Sequence, residues 1–154
     1  MSTPIIESIA LNIETTINLI TVVNGFNQDL VALRPRRIDF VDTAPADGIV
    51  LIKQDAEDLA ESQGMQESRW QQKFVLMAIV LDSDEANTSL DTRLNKVRAD
   101  IQKKLMEDRT RGGYAKDTRI LPSFEFDNAE GTSGIAVEII IEYATVFNDP
   151  YTQT

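Results

Sequence analysis

From Gly134 to Tyr151 the chain reads GIAVEIIIEYATVFNDPY, and this stretch limits the fold more than any other. Ile135, Val137, Ile139, Ile141, Tyr143, Thr145 and Phe147 alternate with Ala136, Glu138, Ile140, Glu142, Ala144 and Val146. Strict alternation with a β-branched and aromatic bias predicts a long strand with one side on a core. The second side mixes acids with Ile140 and Val146, a composition that suits a surface meeting more than bulk water. Asn148-Asp149-Pro150 is expected to end the strand, because proline cannot donate to a ladder and restricts the residue before it.

The length of 154 residues matches one domain, spanning 1–154, with enough chain to bury a real core. There is no cysteine and no histidine. That removes disulfides, thiolate zinc sites, the Ser-His-Asp triad and the commonest general base. No DxDxDG-type loop offers carboxylates to Mg²⁺ or Ca²⁺. The expectation is a chain without catalytic residues, cofactor or metal. A net charge of −10 argues against sequence-specific duplex binding, which wants a basic footprint. No apolar run reaches membrane-spanning length, and the N-terminus lacks the basic start of a signal peptide, which points to the cytoplasm.

Charge is unevenly placed. The first 33 residues contain no lysine or arginine, and their acids are Glu7, Glu14 and Asp29. From Ile120 to Thr154 there are six acids and again no base, so all 15 basic residues fall between Arg34 and Arg119. If the two ends pair in space, they form an acidic surface opposite a more mixed middle; a solvated acidic face is the plainer alternative.

Along the chain, Pro4 to Val23 predicts a first helix, capped by Ser2 or Thr3, with an apolar stripe of Ile6, Ile9, Ile13, Ile17 and Ile20. Short strands follow at 29–33 and 37–41 around a basic elbow, Arg34-Pro35-Arg36-Arg37. These arginines suit phosphate, a carboxylate patch or a neighbouring copy, but pairing with the chain's own acids is the favoured reading. A hairpin is predicted between 37–41 and Ile49–Gln54, followed by an acidic surface loop over 55–67 whose length suits a partner contact. Arg69–Asp82 predicts a strand buried on both sides. Ser83-Asp84 should open a second helix running to about Glu107, with Leu90, Leu94, Val97, Ile101 and Leu105 as its stripe. Gly112-Gly113 then predicts a turn with positive φ. Asp117–Asp127 predicts one strand, paired across a 128–133 loop with the closing strand. The sum is an α+β fold: a mostly antiparallel sheet of about five to six strands, built from β-hairpins and packed against two amphipathic helices.

Three features in this order resemble a family. Asp108-Arg109-Thr110-Arg111-Gly112-Gly113-Tyr114-Ala115 follows the second helix, Ile141-Glu142-Tyr143-Ala144-Thr145 lies near the end of the closing strand, and Asp149-Pro150-Tyr151 opens a short tail at 149–154. The chain looks like the tail terminator, or tail completion, proteins of tailed bacteriophages, and the likeness covers most of its length. Arg109-Thr110-Arg111 departs from the family pattern, which would place an apolar residue before the glycines, and the 55–67 loop has no counterpart in it. The resemblance implies a homo-oligomeric ring, usually of six copies, at the head-proximal end of the tail tube in the virion, assembled in the host cytoplasm. Its partners would be the tail tube protein, the head–tail connector or neck proteins and, in contractile tails, the sheath. DNA would pass through the lumen without sequence-specific binding. Candidate interface residues are Arg34, Arg36, Arg37, Arg109, Arg111, Glu138, Glu142, Asp149 and Tyr151. Competing readings are another neck or tube-like virion protein and a small nucleotide-binding protein.

Overall fold

The computed structural model describes residues 2–34, 47–63, 66–81, 89–127 and 132–154. Among these residues the order is α1 (Ile5–Asn18), β1 (Val31–Leu33), β2 (Ile49–Gln63), β3 (Glu67–Leu81), α2 (Leu90–Met106), β4 (Asp117–Ile120), β5 (Phe124–Asp127), β6 (Thr132–Val146) and β7 (Asp149–Gln153). The fold is α+β, with a mostly antiparallel seven-stranded sheet and both helices contributing to one core.

β6 is the closing strand of the sequence, and it is central. Along one edge it pairs antiparallel with β3 from Glu67↔Val146 to Leu81↔Thr132. Along the other it meets β5, β4 and β7 in turn, at Phe124↔Ala136, Ile120↔Ile139 and Thr145↔Gln153. The expected alternation holds as far as Thr145: Ile135, Val137, Ile139, Ile141, Tyr143 and Thr145 are all buried, whereas Phe147 lies beyond the end of β6 and is exposed. Phe74, Leu76, Ala78 and Val80 face the same core from β3, in register with that series. Fully burying side chains of this size stabilises by about 1.5–3 kcal/mol each.

The second side of the sheet is also largely withdrawn from water, since Leu51, Val75, Ile79, Ala136 and Ala144 are buried. Gly134 lies there with no room for a side chain, because a Cβ would stand 2.1 Å from Cζ of Phe126.

α1 begins at Ile5 with Pro4 as its N-cap residue and no side-chain cap, rather than with Ser2 or Thr3 capping. It ends at Asn18, earlier than Val23. The buried series starts from Ile5, then Ile9, Ile13, Ile17 and Ile20, while Ile6 is half-buried. α2 opens at Leu90, not at Ser83-Asp84, because Ser89 caps it by accepting from the Thr92 amide at 3.2 Å. Residues 82–88, 35–46, 64–65 and 128–131 lie outside the described residues, so the 37–41 strand, Arg36 and Arg37 do too.

Three expectations change at the sheet. First, residues 55–63 are strand, not loop. β2 runs on to Gln63 and pairs with β3 through Gln63↔Glu67, so the acidic stretch is part of a hairpin arm. Second, Ile49–Gln54 takes β3 as its antiparallel partner, while β1 runs parallel beside it from Val31↔Ile49 to Leu33↔Leu51. Third, β6 ends at Val146. A two-residue turn, Phe147-Asn148, then leads into β7, with Asn148 at φ 60°. Pro150 therefore sits inside a strand, at the sheet edge where a missing donor is tolerated. The predicted 117–127 strand is likewise two strands, interrupted by Leu121-Pro122-Ser123.

Where the arm leaves the core, the β2 register shifts between Gln54 and Glu57. Buried Gln72 closes this bulge. Its Nε2 donates to the carbonyls of Asp55 at 2.7 Å, Ala56 at 3.3 Å and Lys73 at 2.9 Å. Gln72→Leu keeps the volume but orphans those carbonyls, so a loss of about 1–3 kcal/mol is expected in urea unfolding. Amide exchange of arm residues should accelerate before that of β6. Unchanged exchange in the arm would show that Gln72 does not hold it.

Candidate functional site

The candidate interface residues do not form one patch. Arg34 donates from Nη1 and Nη2 to Glu7 Oε1 and Oε2 at 2.8 and 3.0 Å, so it pairs with the chain's own acid. The Arg34 guanidinium holds the Glu7 carboxyl below its ordinary range, first through these hydrogen bonds. Arg109 makes a similar fork on Asp117, at 2.8 and 2.9 Å, while Asp117 stands opposite Glu142 in the β4–β6 register. Lys73 meets Glu138 at 3.0 Å across the β3–β6 pair. Glu138 and Glu142 are half-buried on the side of the sheet away from the helices.

Arg111 is the clear correction among these residues, because it is fully buried. Its Nη2 donates to the carbonyl of Leu105, one of the last-turn carbonyls that a helix leaves without an intrahelical partner, and to that of Asp108 just beyond the helix. The backbone turns through φ 51°, 71° and 90° at Arg111, Gly112 and Gly113, so the predicted positive-φ turn begins one residue earlier, on the arginine. Asp108 ties the turn together. It accepts from the Thr110 amide at 3.0 Å, the Thr110 hydroxyl at 2.8 Å and the Gly112 amide at 2.7 Å. Arg111 thus turns inward and closes the C-terminal end of α2 instead of facing outward.

Asp149 lies against a cleft that the sequence did not reveal. It opens between the hairpin arm, the end of β6, the β6–β7 turn and the first turn of α1, with a volume of about 470 Å³. Trp70, Tyr143, Phe147 and Leu59 supply the apolar lining, with Glu57 and Asp149 as its acids. The described lining contains no lysine or arginine. Trp70 Nε1 donates to Thr145 Oγ1 at 3.3 Å, which fixes the indole against β6. Tyr143 donates its hydroxyl to the Glu57 carboxylate. Burial first, and then the adjoining carboxylate, push the Tyr143 hydroxyl well above the usual phenol range. It therefore remains a donor throughout the physiological pH range, and Glu57 Oε2 stays engaged.

Asp149 accepts from the Tyr151 amide at 3.0 Å, and this bond, with one from the Thr152 side chain as the larger cause, lowers its pKa. Tyr151 itself is exposed on β7. The C-terminal strand is tied back to the domain: Thr154 Oγ1 donates to Glu67 at 2.8 Å and Gln153 Nε2 to the Gly113 carbonyl. Trp70 and Tyr143 both belong to strongly patterned strands, but nothing in the sequence showed that Glu57 would stand beside them, because 55–67 reads as a loop.

Among the described residues, no group of three or more acids, histidines or cysteines is placed to hold a metal ion, and no helix is long and apolar enough to cross a membrane. No protein-family model matches the chain, and no curated protein is significantly similar to it.

Three outcomes follow for the α2 turn. Arg111→Glu places an unpaired acid beside two carbonyls in the core, so a loss of about 3–5 kcal/mol is expected by chemical denaturation, with unfolding rather than dissociation. Arg109→Glu, at an exposed pair, should cost about 1 kcal/mol or less. The Asp108 carboxyl is held below its ordinary value of 3.8, first by the Thr110 hydroxyl and then by the Gly112 amide. Its contribution is therefore complete above that value and fades as pH falls through the lowered folded value. Asp108→Asn should flatten the acid limb of a melting-temperature profile below about pH 4, and an unaltered limb would remove Asp108 from this role.

Proposed function

We propose that the chain is a structural subunit which closes with copies of itself into a ring and ends the tail tube of a tailed bacteriophage. The observation that carries this reading is the order of its parts: a helix, a long hairpin, a second helix ending in the Arg111-Gly112-Gly113 turn, and a closing strand followed by Asp149-Pro150-Tyr151. The ring would sit at the head-proximal end of the tube in the virion, offering one face to the tube protein and the other to the head connector. In a contractile tail it would also touch the sheath. A closed ring needs two different patches on each subunit. The projecting arm and the exposed faces of β7 and α2 are separate surfaces of the kind this requires. The net charge of −10 suits a lumen through which DNA slides without being held.

Negative-stain microscopy of the purified full chain tests the reading, with sedimentation velocity to count copies. Closed rings of about six copies are expected. Open fibres would favour a tube-like protein, and a monomer at all concentrations would overturn ring formation. Arg36→Glu with Arg37→Glu tests the elbow. Rings are expected to dissociate in this variant, and rings of unchanged size would exclude the elbow from the subunit contact.

A further inference from the structure

We propose that the cleft beneath the hairpin arm is a binding site for an arginine side chain presented by a separate, basic partner protein. The inference goes beyond ring formation and does not require it. Trp70, Tyr143 and Phe147 give the cleft three aromatic residues, which attract a desolvated cation through the negative faces of their rings. Glu57 and Asp149 add two carboxylates, and no described basic residue of the chain lines the cleft to neutralise them. An arginine suits this set better than a lysine, because a planar guanidinium stacks on aromatic rings while donating sideways to a carboxylate. Glu57 is already oriented for it. The Tyr143 hydroxyl occupies Oε2, and among the described residues nothing donates to Oε1. The volume of about 470 Å³ holds an arginine together with the start of its main chain.

A separate partner suits the cleft better than a second copy, because the arginines described in this chain are mostly committed. Arg34, Arg93 and Arg109 pair with Glu7, Asp47 and Asp117, and Arg111 is buried. A basic segment from another protein brings an arginine that is not so engaged.

The chain's single tryptophan, Trp70, lies in the cleft, so intrinsic fluorescence reports its occupancy directly. The experiment titrates N-acetyl-L-argininamide into the full chain, with N-acetyl-L-norleucinamide as the neutral apolar control and choline as a small organic cation. The expected result is a saturable emission change with the arginine derivative, none with norleucinamide, and weaker binding of choline. Glu57→Gln keeps an acceptor for Tyr143 but loses the charge, and should weaken binding at least fivefold. Asp149→Asn, which preserves the acceptor for the Tyr151 amide, should weaken it about twofold to threefold and serves should Glu57→Gln fail to fold. Equal response to the neutral control, no saturable response, or wild-type affinity in both variants would overturn the site. Tighter binding of choline would overturn its assignment to arginine. An emission shift that grows with the protein's own concentration and is reversed by argininamide would overturn the separate partner and give the cleft to a second copy.

Discussion

The rest of this fold depends on β6 being paired along both of its edges. On one side β3 runs beside it for its full length; on the other, β5, β4 and β7 each take a short segment. A strand held in this way cannot slip. Moving it by one residue would send Glu138 and Glu142 into the helix-facing core and bring Ile139, Ile141 and Tyr143 out. Double pairing also removes the exposed edge that a long apolar strand would otherwise offer to other chains. The register of β6 then fixes what lies around it. The core residues of β3 oppose its Ile and Val series, Gly134 makes room for the Phe126 ring, and Tyr143 arrives at the sheet end where the arm departs.

Where a segment buries a continuous face, its role was legible from its pattern. That covers β6, β3, the α2 stripe from Leu94 to Leu105, and the α+β class that follows from them. α1 was legible as a helix, although its buried series is phased on Ile5, and the short span to Asn18 left Val22 and Val23 exposed. Residues 55–63 were not legible because this end of β2 pairs only with β3 among the described residues and lies at the sheet edge, with no buried face to encode. Its exposed positions are Asp55, Ala56, Glu57, Asp58 and Leu59, which read equally well as a loop. Pro150 misled for a related reason: a stop signal for a central strand is harmless on a strand at the edge.

Arg111 shows a different limit. An arginine between a threonine and a glycine pair reads as surface charge, and its pairing with main-chain carbonyls leaves no periodic mark. Only the chain geometry after α2 shows that two carbonyls converge where a side chain of that length can reach them. The same turn positions Asp117 and Lys116 at the start of β4, where the Lys116 amide donates to the Glu142 carbonyl at 2.7 Å. One buried cation therefore sets where the far edge of β6 begins to be covered. Burial lowers its pKa, with Asp108 opposing that shift.

The β3 strand of the arm is laddered to β6 from Glu67↔Val146 to Gln72↔Ile141, and Trp70 packs against the core, whereas the outer end of β2 rests on β3 alone among the described residues. Three polar contacts reinforce this region: Gln72 to the bulge carbonyls, Tyr143 to Glu57, and the Phe147 amide to the Gln66 carbonyl at 3.2 Å. Two of these three lie on the wall of the cleft or at its edge, so the contacts that hold the arm also shape the cavity beneath it. A group that enters and engages Glu57 through Oε1 need not disturb the bond from Tyr143 to Oε2. Such a group would add a second tether between arm and body, and anything that binds only this arrangement stabilises it by mass action.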